Sequence, residues 1–338
     1  MKRILLTIAV TALFAYYIVA NFSAVLNIYN IAIHITFAYL ALAILLSVVA
    51  YIFIGRASRS VFHVMGFTKK LPEMIRLQLA AVAINVLVPT AGASIMLLYA
   101  EEAKKHDEST STAAASYLVW MLASYSALVV LLFFGTAYLV FAGKLTAYFY
   151  VPALLFLALL VGILLLFRLS QKTPQQLRAI FLWIKSVYVR FMANFKKKVS
   201  PTGGVDNIIL EIQDARGKIR SNPSAFVVAV FEVLGSHLLY LFAAEVLFLS
   251  FGYHPAYAVL IAGYAAGVLF TIVSPTPNGV GFAEVGMAAV FVSLGVDMRL
   301  AGIVAILSRA LSYWAPMFIG FVLLQQDNLK KITEEVTS

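Results

Sequence analysis

Ser274-Pro275-Thr276-Pro277-Asn278-Gly279-Val280-Gly281 interrupts an otherwise apolar run over residues 257–294, and the reading of that interruption decides the fold. A proline inside a helix removes a backbone donor and clashes with the preceding turn, and clustered glycines favour a turn over a continuing helix. The run therefore divides into two arms. An arm such as 257–273 is about 25 Å long at 1.5 Å per residue, short for a bilayer core of about 30 Å and sufficient to reach its middle. A second interruption, Val88-Pro89-Thr90-Ala91-Gly92, breaks the run over 77–98 in the same way.

The rest of the chain shows why membrane depth is the relevant scale. Of its 338 residues, 62% are hydrophobic and only 12% charged, far from the balance of a water-soluble domain. That composition excludes an ordinary soluble enzyme and a disordered chain. With no cysteine there is no disulfide framework, thiolate nucleophile or cysteine-held zinc. The net charge of +10 is explained by the positive-inside rule, so no nucleic-acid partner is expected.

Unbroken apolar runs occupy residues 4–22, 29–55, 113–142, 147–167, 223–251 and 300–324. The first follows Met1-Lys2-Arg3 and competes with a cleaved signal peptide; its length and the lack of a small-x-small cleavage site favour an uncleaved helix. Arg56, Arg59, Lys69, Lys70 and Arg76 mark one cytoplasmic segment, and the basic stretch from Arg168 to Arg220 marks another. Three apolar stretches lie between them, yet returning to the same side takes an even number of crossings. The broken stretch 77–98 is therefore a re-entrant hairpin from the cytoplasmic face. The same parity makes 257–294 a hairpin from the external face, provided the Lys330-Lys331 tail is inside. The expected fold is an all-α polytopic membrane protein in a single domain over residues 1–338. It has about six full transmembrane helices, two oppositely inserted broken hairpins, and both termini cytoplasmic in the plasma membrane.

Placing Pro89 on Pro275 also places Ala80 on Ala266, Asn85 on Thr271, Val86 on Ile272 and Thr90 on Thr276. This weak internal repeat matches the opposed hairpins, an arrangement that recurs in transporters with broken helices meeting near the midplane. Irregular backbone at that depth needs surrounding protein or a wet cavity, which implies a central polar cavity.

Charges in spanning segments cost about 2.5–3.5 kcal/mol each on insertion scales, so Glu232, Glu245, Glu284 and Arg309 must pair, face water or snorkel. Glu284 follows Gly281 at the start of an arm, where an acid complements the helix dipole or serves a headgroup or proton site. Arg309 lies mid-span with Ser312, Tyr313 and Pro316 at i+3, i+4 and i+7, and pairing with Glu284 would let both be buried. Glu232, Ser236 and Tyr240 share a face; Glu245 is read as a rim residue and His237 as a hydrogen-bonded packing residue. The histidines form no metal spacing with carboxylates, so neither metal nor cofactor is expected. In the segment 168–222, apolar residues from Leu177 to Phe195 recur at helical steps between basic ones. That pattern marks a basic amphipathic helix suited to anionic lipid.

Residues 274–284 resemble the TPTPGGLGxxE signature of the flippase-like membrane domain of lysylphosphatidylglycerol synthases. Residues 306–316, Ile-Leu-Ser-Arg-Ala-Leu-Ser-Tyr-Trp-Ala-Pro, resemble that family's xxYRxxTYWxP element, with Gly295-Val296 between the two. Upstream, Asn85, Pro89 and Gly92 fit, while Ala93-Ser94 stands in place of a Gly-Glu pair and Glu101-Glu102 follows further on. The resemblance implies a lipid-translocating domain. The chain ends 14 residues beyond Leu324, leaving no room for the family's soluble aminoacyl-transferase domain, so synthesis of aminoacyl lipid is not expected. The candidate translocation residues are Asn85, Pro89, Gly92, Glu232, Pro275, Pro277, Asn278, Gly279, Gly281, Glu284, Arg309 and Tyr313. In this reading Gly279–Gly281 offers backbone N–H groups to a phosphate and Arg309 adds a charge-assisted contact. Membrane lipids with anionic headgroups are the expected partners, and the expected activity is lipid movement between leaflets without enzymatic turnover. A small-solute transporter, a scaffold recruiting a partner through 168–222, and a membrane enzyme on a lipid-linked substrate are the alternatives. The last lacks a nucleophile or metal constellation in the sequence.

Overall fold

The computed structural model describes residues 36–87, 93–141, 217–274 and 276–326, with Gly143 and single positions between 154 and 210. The run 4–22, most of 147–167 and of 168–222, both termini, and Pro89, Gly92 and Pro275 lie outside the described residues. Every regular element among the described residues is helical. They are α1 (Phe37–Met65), α2 (Leu71–Leu87), α3 (Ala93–Lys104), α4 (Thr110–Phe141), α5 (Pro223–Leu249), α6 (Tyr257–Val273), a 3-10 turn (Pro277–Gly279), α7 (Phe282–Ser293), α8 (Met298–Arg309), a π turn (Ala310–Trp314) and α9 (Ala315–Gln326).

Four of the described helical stretches are long and apolar enough to cross a bilayer: Phe37–Met65, Ala115–Phe141, Pro223–Leu249 and Met298–Leu324. The chain is a multi-pass α-helical membrane protein. The broken runs are helix–break–helix units, with arms of 17 and 12 residues in both. At about 1.5 Å per residue these arms rise roughly 25 and 18 Å, both short of a hydrocarbon core of about 30 Å.

Two differences from the sequence reading bear on how the site is positioned. The apolar run ends at Gly55, but α1 continues for ten more residues, because Ala57, Val61, Phe62 and Met65 form a buried stripe at helical spacing. Gly66 ends it in the left-handed region (φ 96°), and Gly66 and Phe67 N–H donate to the carbonyls of His63 and Phe62. The last span is not one regular helix. A π turn separates α8 from α9 and ends at Trp314, two residues before Pro316, whose missing N–H and bulky ring cannot close a regular turn on Ser312.

The two hairpins open at opposite ends of the molecule. At the α2/α3 end, Lys69 in the loop before α2 pairs with Glu108 in the loop after α3 at 3.2 Å, closing the mouth of the hairpin. Lys218, just before α5, donates to Met65 O at the end of α1, so α5 begins at this same end. At the far end of α5, Phe248 packs edge-to-face on Phe291 near the end of α7. The mouth of the α6/α7 hairpin therefore lies with the end of α5 and that of α2/α3 with its start. Each hairpin has its own apolar cluster. Phe62, Met74, Ile84, Leu98 and Tyr99 belong to one, and Leu260, Leu269, Met287 and Phe291 to the other, with α1, α4 and α5 running through both. The α6/α7 arms close by side chain into notch: Phe291 lies on Gly263, and Phe270 on Gly286.

Candidate functional site

The tip of the α6/α7 hairpin is built to stay bent. Asn278 takes a left-handed conformation (φ 49°, ψ 28°), and Gly279 and Gly281 follow with φ of 72° and 84°. A Cβ on Gly279 would meet Thr271 Cα at 2.5 Å, so this position brings the turn directly onto the backbone of α6. Ser274 Oγ accepts from Thr276 N–H at 3.0 Å, and Thr276 Oγ1 donates to Val280 O at 2.9 Å. These local bonds satisfy backbone groups that no helix reaches. Pro277 contributes its backbone to the 3-10 turn.

Glu284 caps the start of α7 and pairs with Arg309. It is the third residue of α7, and its Oε2 accepts from Gly281 N–H at 2.8 Å, the return half of a capping box at the positive end of the helix. Its Oε1 accepts from Arg309 Nε at 3.4 Å, a long contact between side chains that are 6% and 11% exposed. Arg309 is fixed twice more. Its Nη2 donates to Asn278 O at 2.9 Å, and its guanidinium carbon lies 4.4 Å from the centre of the Tyr313 ring. Tyr313 belongs to the π turn, and its hydroxyl accepts from Asn278 Nδ2 at 3.3 Å. The arginine thus fastens the bent tip to the last span through a carboxylate, a carbonyl and an aromatic face.

The other hairpin reaches the same point. Asn85, at the end of α2, donates from Nδ2 to Asn278 Oδ1 at 2.7 Å. Asn278 therefore serves as acceptor to one hairpin and donor to the last span. The sequence implies a central polar cavity; among the described residues the end of α2 and the α6/α7 tip are in direct side-chain contact through Asn85 and Asn278. Behind them, Gly320 of α9 lies against the Leu79 carbonyl of α2, which ties the first hairpin to the same last span.

Of the sequence candidates, Asn85, Asn278, Gly279, Gly281, Glu284, Arg309 and Tyr313 come together. Pro89, Gly92 and Pro275 lie outside the described residues. Glu232 is elsewhere: its Oε1 accepts from Arg56 Nε at 2.9 Å where α5 packs on α1. Glu101 and Glu102 pair locally with Lys104, Lys105 and His106 near the end of α3 rather than joining the cluster. His237 Nδ1 meets the Tyr264 hydroxyl at 3.0 Å, the hydrogen-bonded packing role expected of it.

The family model described as "Lysylphosphatidylglycerol synthase TM region" matches residues 4–320. The chain belongs to this family. It is also similar to a protein of Pyrococcus horikoshii described as a UPF0104 membrane protein, 32% identical over 99 residues, covering 27% of this chain and 30% of that relative. A UPF0104 membrane protein of Methanothermobacter thermautotrophicus is 35% identical over 75 residues, 22% of each chain. The aligned parts thus span under a third of these relatives. Within this lysylphosphatidylglycerol synthase transmembrane family, the two stretches that carried the resemblance, 274–284 and 306–316, supply the bent tip and the arginine that holds it. Two contacts were hidden in the sequence. The Asn85–Asn278 bond joins neutral residues 193 positions apart, and the repeat alignment had placed Asn85 on Thr271. The partner of Glu232 was hidden because Arg56 lies beyond the end of its apolar run.

Proposed function

We propose that this protein moves a phospholipid or lipid-linked headgroup between the leaflets of the plasma membrane, and that the junction of the two hairpin tips is the closed midpoint of the path. The observation that supports this reading is the Asn85–Asn278 bond: two hairpins open at opposite ends, and the end of α2 meets the α6/α7 tip beside the buried Arg309–Glu284 pair. Opposed broken helices of this kind give a polar headgroup access from either side while its acyl tails stay in lipid. Family membership supports the same reading. The basic loops around Lys69 and Lys218 belong on the cytoplasmic side by the positive-inside rule. In this reading the protein performs transport without altering the lipid.

The test is reconstitution of the full chain into vesicles carrying a headgroup-labelled phospholipid, followed by quenching of the label from outside. Protein vesicles should lose label from both leaflets, and Asn85→Ala and Glu284→Gln should slow the second phase. Exchange no faster than in empty vesicles would end the proposal, and recovery of a chemically altered lipid would point to an enzyme instead.

A further inference from the structure

The ion pair that falls outside the tip cluster leads to a second site. Leu45, Val48, Ile52, Arg56, Arg59 and His63 follow one another on α1 at three- and four-residue steps, so they form one face, and all six are exposed. The stripe is apolar up to Ile52 and basic from Arg56 onward. From Phe37 to Gly55 there is no charged residue, a rise of about 28 Å, close to the thickness of a bilayer's hydrocarbon core. Arg56 therefore stands where hydrocarbon gives way to headgroups.

Both arginines are held by the same atom. Arg56 Nε donates to Glu232 Oε1 at 2.9 Å, and Arg59 Nε donates to Lys69 O at 3.2 Å. Glu232 is largely buried, with its Oε2 lacking a hydrogen-bond partner, while the Arg56 side chain is 58% exposed. The acid is thus committed to orienting the arginine rather than facing solvent. Anchoring through Nε leaves the terminal nitrogens of two guanidiniums, one helical turn apart, on an exposed face. A guanidinium fork matches phosphate geometry, and pre-orientation lowers the entropy lost when it binds. The neighbouring surface is suited to acyl chains: Leu45 and Val48 on α1, and Phe231 and Leu238 on α5, are exposed apolar side chains.

We propose that Arg56 and Arg59, with Glu232 as the positioning residue, form a peripheral binding site for the phosphate of an anionic phospholipid in the leaflet at the basic end. This site is separate from the hairpin tips, and its test reads binding rather than transport, so it stands or falls independently of the function proposed above.

The probe is phosphatidylglycerol added to the purified full chain in detergent, with bound lipid counted by native mass spectrometry. The Arg56→Gln/Arg59→Gln double variant should bind it about tenfold more weakly, the loss expected from removing charge-assisted hydrogen bonds. Glu232→Gln should show a smaller loss in the same direction. Arg56→Lys, which keeps the charge without the fork, should retain only part of the binding. Should the double variant aggregate, the two single glutamine variants carry the measurement, each expected to weaken retention. A monodisperse double variant that holds phosphatidylglycerol like the parent would overturn the proposal. So would single variants that do so, or displacement of the lipid by an equal concentration of inorganic phosphate.

Discussion

The two broken hairpins share a shape and differ in chemistry. Both consist of a 17-residue arm, a break and a 12-residue arm, and each sits in its own apolar cluster. The α6/α7 tip is fastened by a buried ion pair, a carbonyl contact and an aromatic face. Among the described residues, the α2/α3 hairpin meets that tip with a neutral amide, Asn85 at the end of α2, and Gln78 Nε2 donates to Ser58 Oγ at 2.7 Å further down. A repeated backbone therefore does not entail a repeated mechanism. One tip is held in its bend by an ion pair, and among the described residues the end of α2 reaches it through the neutral Asn85–Asn278 hydrogen bond.

The sharpest way to break this comparison is to remove one side of the buried pair. Arg309→Met leaves Glu284 without its cation, and the thermal midpoint of the detergent-solubilised protein should fall by the equivalent of about 3–5 kcal/mol. The double change Arg309→Met/Glu284→Gln should recover part of that loss. If Arg309→Met costs no more than Gln78→Leu in the other hairpin, the tips are not held differently. Gly279→Ala should come next: its Cβ would press on the Thr271 backbone from a left-handed residue, and overpacking of this kind costs about 1–3 kcal/mol.

Asn85→Leu separates the tips more gently. It leaves Asn278 Oδ1 without its partner, a penalty of about 1–3 kcal/mol, yet folding should survive, since α2 keeps its apolar cluster and its contact with Gly320. Its lipid exchange rate in vesicles should change more than its thermal midpoint does; the reverse result would make the bond purely structural. The smallest effect is expected at Glu102→Gln. This residue pairs with Lys105 near the end of α3, where such pairs contribute about 0–1 kcal/mol, and neither stability nor exchange should move appreciably.

How far these features were legible in the sequence follows from the cost of each. Arg309 and Glu284 announced themselves because charge at bilayer depth is expensive enough to demand a partner, and only a few candidates exist. The Pro/Gly breaks announced the hairpins because a helix cannot run through them. Asn85 carried no such signal: a neutral amide is tolerated in many settings, and its bond spans a distance in sequence that no periodicity reports. The same holds for Gly320, whose lack of a side chain matters only once α2 is known to lie against it. Glu232 misled for a physical reason. Its place in an apolar run calls for a partner, water or snorkelling, and its cation comes from a part of α1 that hydropathy assigns to a loop.

The π turn at 310–314 amounts to one residue more than a regular helix needs, and it changes the azimuth of everything after it. A single residue advances an α-helix by about 100°, so winding these same residues as regular α-helix would swing the far half of the last span by roughly that angle. Gly320 would leave the Leu79 carbonyl and a bulkier neighbour would arrive in its place, while Arg309, upstream of the bulge, kept its heading. The surplus residue is thus what allows a single rod to serve two differently oriented docking faces, one for each hairpin.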